Sequence, residues 1–536
     1  MTNATIAERL DAFALLLELA EANPFSIRAY RRAAELVRTT PAPVAELAAA
    51  GRLRELRGIG AGIEARIREL VETGSIAELD ELERTVSPEV VGFGRYLGLG
   101  ARRSLAIARE LELRSADEFR EAISTGRIAE ASGVGAKTVK RLRAALDRPA
   151  GAGRRTLRLD RARALLERLA TAVGGEPAGD ARRWHHAPER LAIVAATTDA
   201  EAALERFAAA PDVVAVVERR PDGAVGVTAD GLPVELIVAS PRAAGTALLR
   251  ATGSPAYVAA LEPLPEAPSE QALYESLGVP FRPPELREEP SRAEPPPLLE
   301  LADLRGDLHC HTTWSDGRAT VLELGEAALA RGYEYVAVCD HTPSVRVVPG
   351  VDADGLRRQA EEIAAANERL APFRILRGAE CDILPDGSLD LPDDILAELD
   401  WVTASLHAGQ RTPRAELTRR VTHAMRHPAV RALSHPTGRL IGNRAPNALD
   451  LEETIAVALE TGVALEVNGL PARLDLSGEH VRQALEAGAR IVVNTDAHST
   501  RGLGNIELAV ATARRGGATA ADVVNTRPLA DLLRRS

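Results

Sequence analysis

Between Asp307 and Gly317 the chain reads DLHCHTTWSDG, and few architectures can put such a stretch to use. LADLRGDLHCHT has the pattern of a strand. Alternate residues of a strand share a face, so His309 and His311 project together from one strand end. Asp316 follows on a turn closed by Gly317, within reach of the same end. The device recurs after each later β-rich run: YEYVAVCDHT brings His341, RILRGAEC brings Glu380, DWVTASLHAG brings His407, VRALSHPTGR brings His435, and RIVVNTDAHS brings Asp496 and His498. Amphipathic helical stretches such as LRRQAEEIAAANERL and LEETIAVALETG separate these runs. Such alternation implies parallel strands closed into a barrel, whose strand C-termini meet on one face. Nine nitrogen and oxygen ligands without a thiolate suit two or three divalent ions of the Mn, Zn or Fe type. Of the eleven histidines in the chain, the six just named fall at these strand ends. Isolated ones, such as His423 and His427, read as surface groups.

The series HxH, SDG, CDH, Glu380, SLH, SHPTGR and TDAH resembles the PHP (polymerase and histidinol phosphatase) phosphoesterase domain over residues 304–536, with every metal-ligand position of that pattern filled. The resemblance implies a distorted (β/α)7 barrel. In it His309, His311, Glu380 and Asp496 hold one ion, Glu380 bridges to a second held by His407 and His435, and Asp316, His341 and His498 hold a third. Ions about 3.5–4 Å apart clamp a phosphoryl oxygen and acidify a bound water, so phosphate-ester hydrolysis is expected without a side-chain nucleophile. Arg439 and Arg444 are candidates to cradle substrate phosphate by bidentate bonds, with surface salt bridges as the alternative. Asn468 and Arg473, at another strand end, are similar candidates. Asp307 and Asp340 are expected to orient ligand imidazoles from behind. Cys310, Cys339 and Cys381 each neighbour a ligand and are expected in the buried wall.

The first 150 residues carry a different repeated device. FSIRAYRRAAELV bears Arg28, Arg31 and Arg32, and a tight turn follows at Gly58, Ile59, Gly60 and Gly62. Gly98-Leu99-Gly100 and Gly133-Val134-Gly135 repeat it, each followed by basic residues such as Lys137. Glycines there let backbone N–H groups approach a phosphate at a helix N-terminus. Three helix-hairpin-helix turns predict DNA-backbone contacts without sequence specificity. The net charge of -11 does not oppose this. Residues 1–150 hold 23 basic against 22 acidic side chains, a balance of +1, leaving -12 for the remainder.

After a Gly and Arg linker at 150–158, short strands around the helix AEAALERFAA make a small α+β domain. Lying between the helix-hairpin-helix turns and the PHP-like segment, it resembles the palm of a bacterial family X DNA polymerase, and in that order the resemblance spans the chain. The expected parts are an all-α DNA-binding region (1–150), a nucleotidyltransferase-like palm (151–288), a Pro-rich linker (289–303) and the phosphoesterase domain (304–536). The palm departs from the family pattern. Gly179, Asp180, Ala181, Arg182 and Arg183 stand where a GS-x-RR phosphate motif belongs, and Glu189, Leu191 and Glu235 occupy the three catalytic-carboxylate positions. Leucine cannot bind an ion, and two-Mg chemistry needs closely placed carboxylates; efficient nucleotidyl transfer is not expected. Arg250 and Ala251 replace an aromatic pair. Arg66 stands at the lyase lysine's position, where a guanidinium stays protonated. The Pro-rich EEPSRAEPPPLLEL reads as a semi-extended tether that lets the phosphoesterase domain move.

Three cysteines without paired spacing argue for a reducing compartment. No basic start leads into an apolar leader, and no apolar run has transmembrane length. A cytoplasmic protein without a membrane partner is expected. Together these readings predict a DNA-processing hydrolase; the resemblance implies 3' to 5' exonuclease or abasic-site activity, with Mn preferred. The alternatives are a histidinol-phosphatase-like monoesterase, a retained polymerase, and a DNA-binding scaffold whose metals only stabilise it.

Overall fold

The C-terminal half is carried by seven short strands: Gly306–Cys310, Tyr335–Val338, Arg374–Asp382, Trp401–Ser405, Val430–Leu433, Ala464–Asn468 and Ile491–Asn494. In this computed structural model they form one sheet in chain order, every neighbouring pair parallel. A backbone bridge between Cys310 and Ala497, with His311 N–H donating to the Ala497 carbonyl at 2.8 Å, brings the last strand end back to the first. The strands are almost wholly buried, as parallel strands covered on both faces must be. Their apolar residues divide accordingly. Val336, Ile375, Val402, Leu465 and Val493 pack against helix residues Leu324, Ile363, Leu417, Ile455 and Ala509. Tyr335, Ala337, Leu376, Trp401, Ala432 and Val492 form a second, smaller core. Several surrounding helices start at a side-chain cap, including a Thr320–Glu323 capping box and Asp450 accepting from Glu453 N–H.

The described residues are 1–20, 22–40, 43–56, 58–148, 157–345 and 348–534, so most of the Gly and Arg linker lies outside them. The chain divides into two compact units. One comprises 1–155, 168–176 and 190–239; the other comprises 156–167, 177–189 and 240–536. The first unit opens with helices such as Asn3–Leu19, Pro24–Thr39 and Ala61–Thr73, packed through Ile6, Leu10, Phe13, Val37, Ile63 and Ile67. A second core joins Phe93, Ile107, Phe119, Ile123 and Leu142. Strands Leu191–Ala196, Pro233–Ala239, Gly223–Val227 and Ala215–Arg220 lie side by side in that order, the first pair parallel and the others antiparallel.

In the second unit, Ser240–Glu288 joins the barrel rather than the palm strands because buried charges hold it there. Arg183 bonds Glu288 at 3.0 Å, and Arg515, 4% exposed at its side chain, bonds the same carboxylate at 3.0 Å and the Arg183 carbonyl at 2.7 Å. The Pro-rich stretch is irregular, but its far end is docked. Leu299 is fully buried, its N–H donating to the Ala518 carbonyl at 2.8 Å, while Arg514 donates to its carbonyl at 2.9 Å.

Candidate metal centre

The barrel brings all nine candidate ligands to one end. Glu380, at 1% exposure, is their centre: its carboxylate lies 2.8 Å from His341 Nδ1, 2.9 Å from His435 Nε2, 3.4 Å from His407 Nε2, 3.5 Å from His309 Nε2 and 3.6 Å from His311 Nε2. On one side His311 Nε2 lies 3.2 Å from Asp496 Oδ1, and on the other His498 Nε2 lies 3.3 Å from Asp316 Oδ2. Three groups have ligand atoms close enough to share an ion: His309, His311 and Asp496; His311, Asp316, His341 and His498; and His341, Glu380 and His407. These groups of neighbouring atoms cut across the sets that the family resemblance implies. His311 and His341 each border two positions, and His435 reaches the centre through Glu380 and stands 5.5 Å from His407, ring to ring.

A bound divalent ion fits these residues, because the centre is rich in buried atoms without a partner. Among the described residues, His309 Nε2, both ring nitrogens of His311 and His407, His341 Nδ1, His435 Nδ1 and Glu380 Oε2 make no hydrogen bond. Buried polar groups are normally satisfied, and such a set converging on one centre is what metal ligands present. Two of the candidate ligands have left-handed backbone, His435 at φ 24° and Asp496 at φ 54°, a conformation costing about 1–3 kcal/mol for a non-glycine and concentrated at functional sites. The electrostatics reflect acids and imidazoles crowded together out of water. Burial alone would raise the Glu380 carboxyl, but the imidazoles, His407 foremost, hold it well below the usual range. Asp316 is likewise pushed up by burial and pulled down to about 2 by His498 and its other imidazole neighbours. Burial lowers His407, yet Glu380 and Asp382 carry it to about 10.

The groups behind the ligands differ from expectation. Neither Asp307 nor Asp340 holds an imidazole. Asp307 accepts from the backbone N–H of His309 at 3.2 Å and from Thr495 Oγ1 at 2.5 Å. Asp340 accepts from Thr312 N–H at 2.8 Å, Ser315 Oγ at 2.5 Å and Gln359 Nε2 at 2.7 Å. The carboxylate that does meet an imidazole is Glu466, fully buried, with Oε1 2.6 Å from His309 Nδ1. It lies in the strand run ALEVN, where a lone acid among apolar residues was the available signal. The three cysteines are fully buried in the wall.

The four phosphate candidates part company. Arg439 is a brace, donating Nε to the Arg473 carbonyl at 2.8 Å and Nη2 to the Leu474 carbonyl. Its guanidinium is consumed by backbone, because the loop it supports has carbonyls that no strand partner takes. Arg444 is exposed and donates Nε to the Gly438 carbonyl at 2.8 Å. Asn468 donates to Asp496 Oδ2 at 3.0 Å and to Glu466 Oε2 at 3.1 Å. Arg473 alone aims a buried, unbonded Nε at the centre, 3.6 Å from Asp496 Oδ2.

Comparison with known proteins agrees with this geometry. A helix-hairpin-helix domain model matches residues 1–76. The DNA polymerase/3'-5' exonuclease PolX of Bacillus subtilis is 32% identical over 98% of both chains. Probable phosphatases of Acetivibrio thermocellus and Photobacterium profundum are 31% and 33% identical over 38% of this chain and 82% and 81% of theirs. The chain belongs to the PolX family.

The palm of this PolX-family chain is spent on ion pairs. Glu235 lies 3.1 Å from both Arg190 and Arg220. Leu191 is buried at the start of its strand and Glu189 is exposed. Asp180 pairs with Arg183 at 2.8 Å, and Arg182 pairs with Glu270 at 2.8 Å. Arg66 pairs with Glu69 at 3.0 Å and Arg250 with Glu262 at 3.1 Å. The three glycine turns stand open. Gly58, Gly98 and Gly133 have φ of 111°, 83° and 75°, and Gly60, Gly100 and Gly135 sit at the N-caps of helices Ala61–Thr73, Ala101–Glu110 and Ala136–Leu146. A Cβ built at Gly60, Gly62, Gly98, Gly133 or Gly135 would meet nothing within 4 Å, and Lys137 is exposed beside the third turn. No helix among the described residues is long and apolar enough to cross a membrane.

Proposed function

We propose that this PolX-family protein is a DNA-processing phosphoesterase that removes nucleotides from a 3' end, with two or three Mn, Zn or Fe ions as cofactor and the cytoplasm as its compartment. The observation that carries the reading is the convergence of unpartnered, buried ligand atoms around Glu380 at the end of the barrel. Bound divalent ions would supply Lewis acidity and a nucleophile from water at neutral pH. The chain's own groups do the rest. The nine side chains from His309 to His498 fix where the ions sit. Arg473, whose Nε lies 3.6 Å from Asp496 Oδ2, is the arginine placed to meet a phosphoryl oxygen of the scissile group by a charge-assisted contact. Arg444, on the exposed loop, is a further phosphate contact, while Asn468 holds Asp496 in place. The open turns at Gly58–Gly62, Gly98–Gly100 and Gly133–Gly135 hold the DNA backbone without reading its bases.

The Bacillus relative's name includes a polymerase; we propose that this chain has lost that activity. Leu191 offers no ligand, and Glu235 is neutralised from both sides by arginine. The division at residues 150, 288 and 303 belongs to the same reading, with the palm serving as a scaffold. The test uses 3'-labelled and 5'-labelled DNA with Mn on a denaturing gel, beside EDTA and His309→Ala. Stepwise loss from the 3' end, absent in both controls, is expected. Efficient hydrolysis of a phosphomonoester with intact DNA would overturn it in favour of a small-molecule phosphatase.

A further inference from the structure

We infer that two buried carboxylates, Glu466 and Asp340, each organise a different ion position of the centre, so that the positions can be emptied one at a time. The inference rests on reading the cluster as a divalent-metal centre. Glu466 is a hub for one side. Its Oε1 meets His309 Nδ1 at 2.6 Å and accepts from Asn494 Nδ2 at 2.9 Å. Its Oε2 accepts the backbone N–H of His435 at 2.8 Å and Asn468 Nδ2 at 3.1 Å, and that same amide group donates to Asp496 at 3.0 Å. One carboxylate thereby fixes the ring of His309, the left-handed backbone of His435 and, through Asn468, the carboxylate of Asp496. With Nδ1 engaged, His309 presents Nε2, its unpartnered nitrogen, to the position shared with His311 and Asp496. A partner of this kind typically changes metal affinity by about 10–100-fold.

Asp340 works on the other side. Both its oxygens are used by the loop that follows His311: Thr312 gives its N–H and hydroxyl, and Ser315 gives its hydroxyl. Gln359 adds a fourth hydrogen bond at 2.7 Å. Thr312 opens the turn that carries Asp316, Ser315 immediately precedes Asp316, and Asp340 itself precedes His341. The clamp therefore sets how Asp316 faces His341, now 3.6 Å apart, and His498, 3.3 Å away. Thr312 follows His311, which borders both positions, but none of Asp340's side-chain hydrogen bonds is made to His309, Asp496 or any partner of Glu466. Glu466 and Asp340 are positioning residues, since neither faces the centre itself.

The test counts ions on the full-length protein after Mn loading and gel filtration, by elemental analysis, with Mn affinity from equilibrium dialysis. Wild type, Glu466→Gln and Asp340→Asn are compared, with Glu466→Asp as a gentler variant, and the melting temperature of each EDTA-treated protein checks folding. Glu466→Gln is expected to lose one equivalent, or to weaken one class of sites about 10–100-fold, while the remaining class keeps wild-type affinity. Asp340→Asn is expected to weaken a different class, so that the double variant loses both. Equal counts and affinities in wild type and every variant would overturn the inference. So would an all-or-none loss from either single variant that still melts cooperatively. If Glu466→Gln does not fold, a wild-type ion count in folded Glu466→Asp also overturns it. A wild type that takes up no Mn or Zn would instead defeat the metal reading.

Discussion

The barrel centre and the palm contain the same kinds of residue, acids beside bases, yet they treat them oppositely. In the palm strands, Glu235 is bonded by Arg190 and Arg220, and the former phosphate-motif residues Asp180, Arg182 and Arg183 are bonded to each other or to Glu270 and Glu288. In the barrel, ring nitrogens of His309, His311, His341, His407 and His435 converge with Glu380 Oε2, buried and without a hydrogen bond, whereas in the palm strands Arg220 Nε alone of the named groups is left so. Satisfied charges stabilise or merely solvate a surface, whereas unsatisfied convergent ones store a demand for a ligand. The contrast distinguishes the two regions when composition cannot.

The strongest challenge to that contrast is Glu380→Ala. It should reduce Mn-dependent release of 3' nucleotides by at least about a hundredfold, measured on end-labelled DNA, while primer extension stays absent before and after. Next comes the brace made from the phosphate motif's surroundings. Arg287 is fully buried, bonds Glu270 and donates Nε to the Arg282 carbonyl at 2.8 Å. Removing one partner of a buried pair costs about 3 kcal/mol, so Arg287→Ala should lower the denaturation midpoint clearly, with metal content unchanged.

A smaller effect concerns pH. Burial lowers the His186 imidazole to about 3, helped by the Arg439 charge. Its unfolded value is about 6.5. Between the two the unfolded chain binds a proton that the folded chain refuses, so stability falls as pH drops from about 6.5 towards 3. Melting curves of EDTA-treated protein should show this slope, and His186→Gln should flatten it. Smallest of all is Glu235→Ala. Its partly exposed ion pairs are worth about 0–1 kcal/mol, and nuclease activity should be unchanged. Appreciable primer extension by wild type, lost in Glu235→Ala, would erase the distinction between the two regions.

That these nine side chains would meet at one end of a barrel was legible from sequence because strand-end spacing and the C-terminal convergence of a barrel are both general rules: HxH, CDH and TDAH each declare their position without help from the rest of the chain. What stands behind the ligands was not legible. Glu466 lies in an apolar strand run and acquires its meaning only when strands distant in sequence are closed into a ring. Asp307 and Asp340 have the right identity but turn to backbone and hydroxyl partners. Arg439 looked like a phosphate ligand because it follows HPTG, yet the loop around it captures both ends of its guanidinium. The buried ion pairs that hold Ser240–Glu288 against the barrel were not legible for a similar reason. Arg183, Glu288 and Arg515 are far apart in the chain, and nothing in their local sequence announces that they meet.

The return of the last barrel strand to the first has a consequence for how the protein is made. His309 and His311 emerge early in the barrel, but Asp496 and His498, which complete their position, lie beyond the seventh strand. A ribosome must therefore finish nearly the whole chain before a potential nuclease can assemble. Prematurely terminated products would carry the DNA-gripping helices yet lack the means to damage what they hold.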